Sequence, residues 1–398
     1  MGRMRRDELV ELLSPEGLRL LDSLDGYRQD DPVRAVARLR ADGHSPGLVS
    51  AVLTQARLRE KATAKFGEFA RSMLFTDAGL EQATRLRVAA LHAGRFAAAG
   101  VRRVADLGSG IGGDALALAA IDLEVTAVDA DEVTATLASF NLAPFPQASA
   151  VHADAESFDL EGFDAVYLDP ARRTAGHRET RRLSDPDDYS PSLDFAFGLA
   201  EHRPVGIKLG PGFDRDRIPA EAEAQWVSVD GELVETGLWF GPLARPGVRR
   251  SALLLGAGGA AELTASSDSD DEEVGDLAEY VHEPDGSAIR ARLLGELARS
   301  SGSRMLSPGI AYLTGAEPAT SPFLRSFRVL AELPLDEKTL ARELRSRGIG
   351  VLEIKKRGVD IDPARFRTKL GLSGRGSAVL ILTRVQGRHR ALLAERAS

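Results

Sequence analysis

The stretch Val104-Ala-Asp-Leu-Gly-Ser-Gly-Ile-Gly-Gly-Asp114 constrains this chain more than any other part of it. An apolar run from Val101 to Leu107, interrupted by Arg102 and Arg103, meets a glycine turn, and a helix of small residues follows from Asp114 to Ala120. A second short strand, Val125 to Asp129, then ends in an acid. That pattern predicts a β-α-β nucleotide-binding unit. Glycines let the backbone approach a ligand, the helix start offers free N–H groups, and the terminal acid is placed for ribose hydroxyls.

Two cofactors compete for such a unit. Gly108, Gly110 and Gly113 satisfy G-x-G-x-x-G, and Asp129 follows Gly108 by about twenty residues, the spacing of a dinucleotide site. Asp106 argues the other way, because a pyrophosphate gains nothing from a carboxylate just before the first glycine. Asp114, near the helix start, would be equally unwelcome there. S-adenosylmethionine carries an ammonium, a sulfonium and a ribose diol but no phosphate, so it suits both acids. Alternatively, Asp106 merely ends a strand and Asp114 merely caps a helix.

At 398 residues, two or three domains are expected. The chain has no cysteine, which excludes disulfides and thiolate metal sites, and no metal is expected. The charged start, Met1 to Leu9, does not read as a signal peptide, and no apolar run approaches the about 18 residues that span a bilayer. A cytoplasmic protein without membrane attachment is the expectation. Net charge is −8, unevenly spread: residues 325–398 hold 17 Lys and Arg against 8 Asp and Glu. Such asymmetry marks either a basic binding module on an acidic body or two solvated faces.

Residues 1–70 read as a helical module, with Ser14-Pro15, Asp31-Pro32 and Ser45-Pro46 as start signals. From 71 to 256 strands alternate with helices, which predicts a doubly wound sheet with ligands beyond its strand ends. Asp106, Asp129, Asp154, Asp169 and Lys208 all fall at such ends. Trp226 to Phe240, turning at Asp230-Gly231, and Arg250 to Leu255 read as further strands forming an antiparallel edge pair. Residues 257–275, rich in small residues and then in Asp268-Ser-Asp-Asp-Glu-Glu273, read as a flexible acidic linker. A second α/β module is expected over 276–398, with a helix around Ile289 to Ala298 among its pieces.

Asp106-Leu-Gly-Ser-Gly110, Asp129, Asp154-Ala155 and Asp169-Pro170-Ala171-Arg172 together resemble the motifs of class I S-adenosylmethionine-dependent methyltransferases. The tail segments Tyr280 to Gly286, Ser321 to Phe327, Leu352 to Val359 and Leu382 to Arg384 resemble the actinobacterial branch with a C-terminal THUMP-like domain. The resemblance implies a Rossmann-like sheet, S-adenosylmethionine as cofactor and an RNA substrate (tRNA or rRNA), since true THUMP domains bind RNA. It places Asp106 near the methionine end of the cofactor, with Gly108 and Gly110 under it. Asp129 would take the ribose hydroxyls, Asp154 the adenine amino group, and Ala155 would supply a backbone N–H.

In amino-methylating relatives the reactive motif reads Asp/Asn-Pro-Pro-aromatic. Here Asp169-Pro170 is followed by Ala171 and Arg172, so base stacking by an aromatic is missing, and Arg172 can stack or bind phosphate instead. A strand-ending Asp-Pro turn is the competing reading. Five arginines between Arg172 and Arg182 suit phosphate contacts, or pair with Asp185, Asp187 and Asp188. Lys208 ends the strand after that of Asp169, as a second catalytic candidate or simply an exposed lysine. Lys355-Lys356-Arg357 is the densest basic cluster of the tail and its expected RNA contact. The other functional readings are methylation of a protein or small molecule, a non-enzymatic RNA-binding protein on this fold, and a nicotinamide-dependent dehydrogenase, for which His152 and His177 lack a recognisable context.

Overall fold

Three of the N-terminal helices begin on a proline, whose fixed φ suits a first helical turn where its missing N–H costs nothing. The computed structural model describes residues 5–24, 32–172 and 189–397. It divides into two units, residues 1–209 with 239–244, and 210–238 with 245–398. The first opens with α1 (Arg6–Leu12), α2 (Pro15–Ser23), α3 (Pro32–Ala41), α4 (Pro46–Phe66), α5 (Asp77–Gln82) and α6 (Leu86–Ala98). Ser14 and Ser45 cap α2 and α4, each accepting a hydrogen bond at 3.0 Å from a backbone N–H three residues on.

The β-α units follow: β1 (Arg103–Leu107), α7 (Gly113–Ala119), β2 (Glu124–Asp129), α8 (Glu132–Leu142) and β3 (Ala148–His152). Next come β4 (Ala165–Leu168), the two-residue β5 (Ala171–Arg172) and β6 (Tyr189–Ser190), α9 (Leu193–Ala200) and β7 (Val205–Leu209). Strands β7, β4, β1, β2 and β3 lie side by side in that order, all parallel. The chain order reverses between β1 and β4, and a crevice opens at the carboxyl ends of such a pair.

The N-terminal helices are not a separate module. One apolar cluster runs from Leu12, Val52 and Phe66 to Val104, Leu118 and Leu137. Residues 71–102, expected to open the α/β region, are mostly helical. Buried amides tie them in: Gln55 exchanges hydrogen bonds with the backbone of Phe75 at 2.7 and 2.9 Å. Asn141 accepts from Leu74 N at 2.7 Å and donates to the carbonyls of Leu74 and Ile111.

The second unit holds β8 (Glu223–Val229) and most of β9 (Glu232–Phe240), joined through Asp230 and Gly231 at φ 52° and 82°, the left-handed conformations a tight hairpin needs. Here two expectations give way. β10 (Arg250–Gly256) pairs in parallel with β8, and its antiparallel neighbour is β11 (Gly259–Ala265), which lies inside the expected linker. The acidic run is ordered because arginines from elsewhere neutralise it. Asp268 accepts from Arg215 at 2.5 Å and Arg250 at 2.7 Å, while Glu272 and Glu273 pair with Arg299 and Arg304, each at 3.0 Å.

Beyond it come β12 (Tyr280–Pro284), α10 (Gly286–Arg290), α11 (Leu294–Ser300), β13 (Arg304–Ser307), β14 (Ile310–Gly315) and β15 (Leu324–Pro334). The single helix expected over 289–298 is thus two, parted at Arg292, whose φ is 58°. α12 (Glu337–Ser346), β16 (Ile349–Lys356), α13 (Pro363–Leu370), β17 (Gly376–Val385) and β18 (Arg388–Arg396) complete the chain. The sheet runs β13-β14-β12-β15-β18-β17-β16. Leu340, Leu344, Phe366 and Leu370 of α12 and α13 pack with Leu380, Leu382 and Leu393.

Candidate active site

The glycine turn after β1 is forced by its backbone. Gly108, Gly110 and Gly112 have φ of 77°, 57° and 81°, conformations costly for any residue with a Cβ. A Cβ on Gly108 would also stand 3.2 Å from the Asp169 carbonyl, whereas one at Gly110 would meet none of the described residues within 4 Å. The turn is therefore tight against β4 and open above Gly110. Behind it Gly113 packs on the Phe66 ring.

Asp106 is 1% exposed, and among the described residues neither carboxylate oxygen has a hydrogen-bond partner, nor does the Ser109 hydroxyl beside the turn. Burial, then the carboxylates of Asp114 and Asp169, hold the Asp106 pKa well above the usual range. An unsatisfied buried carboxylate is expensive, and a cationic ligand group would satisfy it. At the end of β2, Asp129 accepts from Gly110 N at 3.0 Å and Asp131 N at 2.8 Å. Burial pushes its pKa up to about 6, against the opposing pull of the Gly110 N–H and His152.

Asp114 does something other than the sequence suggested. Its carboxylate accepts from the Thr84 hydroxyl at 2.6 Å and faces His92 Nδ1 at 3.1 Å. Burial alone would raise its pKa, but the His92 hydrogen bond and the Lys208 charge bring it below the ordinary value. The Tyr167 hydroxyl lies 3.0 Å from the same His92 nitrogen, and the His92 ring packs against Tyr167 and Trp239 at 5.5 and 5.4 Å. Asp114 thus anchors a buried polar cluster behind the turn.

Lys208 is not an exposed strand-end lysine. It is 8% exposed, and its ammonium lies 2.5 Å from Asp169 Oδ2, 2.9 Å from the Thr84 hydroxyl and 3.3 Å from the Gln82 carbonyl. Lys65 stands nearby, donating to the Leu80, Glu81 and Ala83 carbonyls at 2.7–2.8 Å. Burial and then the Lys208 charge bring its pKa down to about 8. Pro170 is buried next to Asp169.

The structure therefore brings Asp106, Gly108, Gly110, Asp129, Asp169 and Lys208 to one end of the parallel strands. Asp154 is exposed in a turn after β3 and accepts from Glu156 N at 2.9 Å, with Ala155 half-buried beside it. Arg172 contributes its backbone to β5, paired with β6. The arginine-rich stretch from Arg173 to Arg182, His177, Asp185, Asp187 and Asp188 lie outside the described residues. Sequence reasoning missed Thr84, His92 and Tyr167. The signal for α6 was present in Val88, Ala89, His92, Ala93 and Phe96 at helical spacing, which would have put His92 on a buried face.

In the second unit the expected basic triplet is largely used internally. Lys355 pairs with Glu283 at 2.7 Å and Glu353 at 3.4 Å and lies over the Phe327 ring, and Arg357 lies over Tyr312.

A parallel sheet with its order reversing at β1 and β4, an open glycine turn, and acids at the ends of β1, β2 and β4 define the class I methyltransferase architecture. A family model described as THUMP domain-like matches residues 324–396, and one described as a domain of unknown function matches residues 5–62. Proteins of Mycobacterium tuberculosis strains CDC 1551 and H37Rv, each named an uncharacterized S-adenosylmethionine-dependent methyltransferase, are 34% identical over 356 residues, covering 87% of this chain and 95% of their own. A crystal structure from Porphyromonas gingivalis W83, described as a methyltransferase, superposes with a TM-score of 0.73 over 100% of both chains at 20% identity, a likeness of fold. The chain belongs to the S-adenosylmethionine-dependent methyltransferase family and is an enzyme that uses that cofactor. Among the described residues no helix is long and apolar enough to cross a membrane.

The residues present fit the cofactor: Asp106 and Ser109 have polar atoms to offer, and the turn is open above Gly110. Ribose hydroxyls donate, so a ribose held by Asp129 would favour its ionised form. With its pKa at about 6, cofactor affinity should rise with pH up to neutrality and then level off, falling about tenfold between pH 7 and pH 5. Calorimetric titration across that range tests this. Asp129→Asn should flatten the curve, and any slope that remains reports the protonation of Asp106, whose shift has the same sign.

Proposed function

We propose that the protein methylates RNA, with Asp169 holding the acceptor group and the cofactor bound by Asp106, Gly108, Gly110 and Asp129. The observation carrying this reading is the Asp169 carboxylate, 28% exposed, ion-paired to Lys208 at 2.5 Å and adjoining the glycine turn. S-adenosylmethionine, when bound, supplies an electrophilic methyl group on a sulfonium. The chain's own task is alignment, because in-line displacement depends on how acceptor and donor are held. Asp169 accepts a hydrogen bond from the acceptor's N–H or O–H, orients its lone pair, and takes the proton released as the new bond to carbon forms. Its partial exposure gives that proton a way to solvent. Buried Pro170 fixes the backbone beside it. Arg172 is proposed as a phosphate contact, and Asp154 with Ala155 as the adenine edge of the site.

RNA as substrate is supported by the THUMP domain-like match and by the basic balance of residues 325–398. With Lys355 engaged by glutamates, phosphate contact falls instead to Arg365 and Arg367 on α13 and to Arg375. All three are exposed and have no ion pair among the described residues. Replacing them with alanine should weaken RNA binding whatever the sequence, lowering the salt slope by about 0.7 per lost single-strand phosphate contact. Cofactor affinity should not change. The deciding test is transfer of tritiated methyl to RNA, protein and small-molecule fractions from cells lacking the gene. Label in RNA is expected, and label confined to protein or small molecules overturns the substrate assignment.

A further inference from the structure

We propose that Thr84 and Lys208 are positioning residues for methyl transfer, which tie Asp169 to the buried Asp114–His92–Tyr167 cluster and hold its carboxylate fixed and ionised. This rests on the reading of Asp169 as the acceptor-holding group. Four elements converge on one line of hydrogen bonds. The Lys208 ammonium, on β7, reaches Asp169 beyond β4 at 2.5 Å and the Thr84 hydroxyl at 2.9 Å. Thr84, between α5 and α6, in turn donates to Asp114 on α7 at 2.6 Å. A hydroxyl that accepts from an ammonium must point its own proton elsewhere, and Asp114 takes it, so the direction of every bond in the line is set.

The charges favour the same state. Lys208 is buried against the Asp169 carboxylate and within electrostatic reach of Asp114 and of Asp106 on β1, with Lys65 on α4 as the opposing cation. The ammonium 2.5 Å away favours the carboxylate form of Asp169 over its protonated form. A lysine has four rotatable bonds. The Thr84 hydroxyl and Gln82 carbonyl remove that freedom, so the N-terminal helical region sets the geometry at the acceptor.

The test compares Thr84→Val, Thr84→Ser, Lys208→Met and Asp169→Asn with the parent, using tritiated methyl transfer into the same three fractions. Thr84→Val, nearly isosteric, should lower kcat by about tenfold to a hundredfold, move the acid limb of the kcat profile to higher pH, and leave cofactor Kd unchanged. Thr84→Ser should restore both turnover and limb, and Lys208→Met should shift the limb further. Parent-like turnover and pH profile in Thr84→Val and Lys208→Met, beside an inactive Asp169→Asn, would overturn the positioning role alone. So would a Thr84→Val loss that tracks a fall in melting temperature, with no shift of the limb and no rescue by serine. Full activity in Asp169→Asn would instead overturn the reading of Asp169 on which the proposal rests.

Discussion

Asp169→Asn is expected to reduce methyl transfer by about 10²–10⁴-fold, the range for a positioned acid–base group, with cofactor affinity nearly unchanged. The asparagine keeps the size of the side chain but cannot take up a proton, and it leaves Lys208 without its nearest counter-charge. Breaking a fully buried ion pair costs about 3–5 kcal/mol. Here the cost should be smaller, because Asp169 is 28% exposed and Asp114 remains near Lys208. Asn is therefore a better probe than Ala, and stability should be read in parallel by denaturant titration. Loss of kcat at constant cofactor Kd marks an interaction made with the acceptor in the transition state. Equal turnover would reduce Asp169-Pro170 to the end of a strand.

The second large effect is expected at Phe66, in the core beneath the glycine turn. Its ring is fully buried, lies 5.7 Å from that of Phe75, and supports Gly113 at the start of α7. Truncation of Phe66 to alanine should cost about 3–5 kcal/mol, the usual cost of removing a core aromatic. Because the cavity would open beneath the glycine turn, cofactor affinity should fall as well. A lower urea midpoint at constant m-value, with a raised cofactor Kd, is the expected pair of results. An unchanged midpoint would mean that the N-terminal helices are dispensable to the fold.

The glycine turn was legible because it is local. Each of Gly108, Gly110 and Asp129 does its work within a stretch of about twenty residues, and strand, turn and helix follow in sequence. The two readings of Lys208 stayed open for the opposite reason. Nothing around Val205 to Leu209 indicates that Thr84 and Asp114, from elements far away in the chain, close over its ammonium. The acidic run from Asp268 to Glu273 misled in a similar way, since like charges read as disorder until Arg215, Arg250, Arg299 and Arg304 are set against them. Composition located the basic tail but could not tell spent charges from available ones: Lys355 is engaged by two glutamates, while Arg365 and Arg367 project from α13. The independence of residues 1–70 was inferred from a change of pattern, and a shared core leaves no mark in periodicity.

Thr84 and Lys208 lie 124 residues apart in the chain, and that separation carries a consequence for biosynthesis. At about 5–20 residues per second, translation leaves a delay on the order of ten seconds between the emergence of the hydroxyl and that of the ammonium it will meet. Within that interval the glycine turn and the strand bearing Asp129 emerge, ahead of the segment that carries Lys208. The acceptor side of the first unit cannot assemble until Lys208 and the segment Trp239–Ala244, which belongs to that unit, have emerged. Ribosome-bound chains arrested before Lys208 should transfer no methyl group.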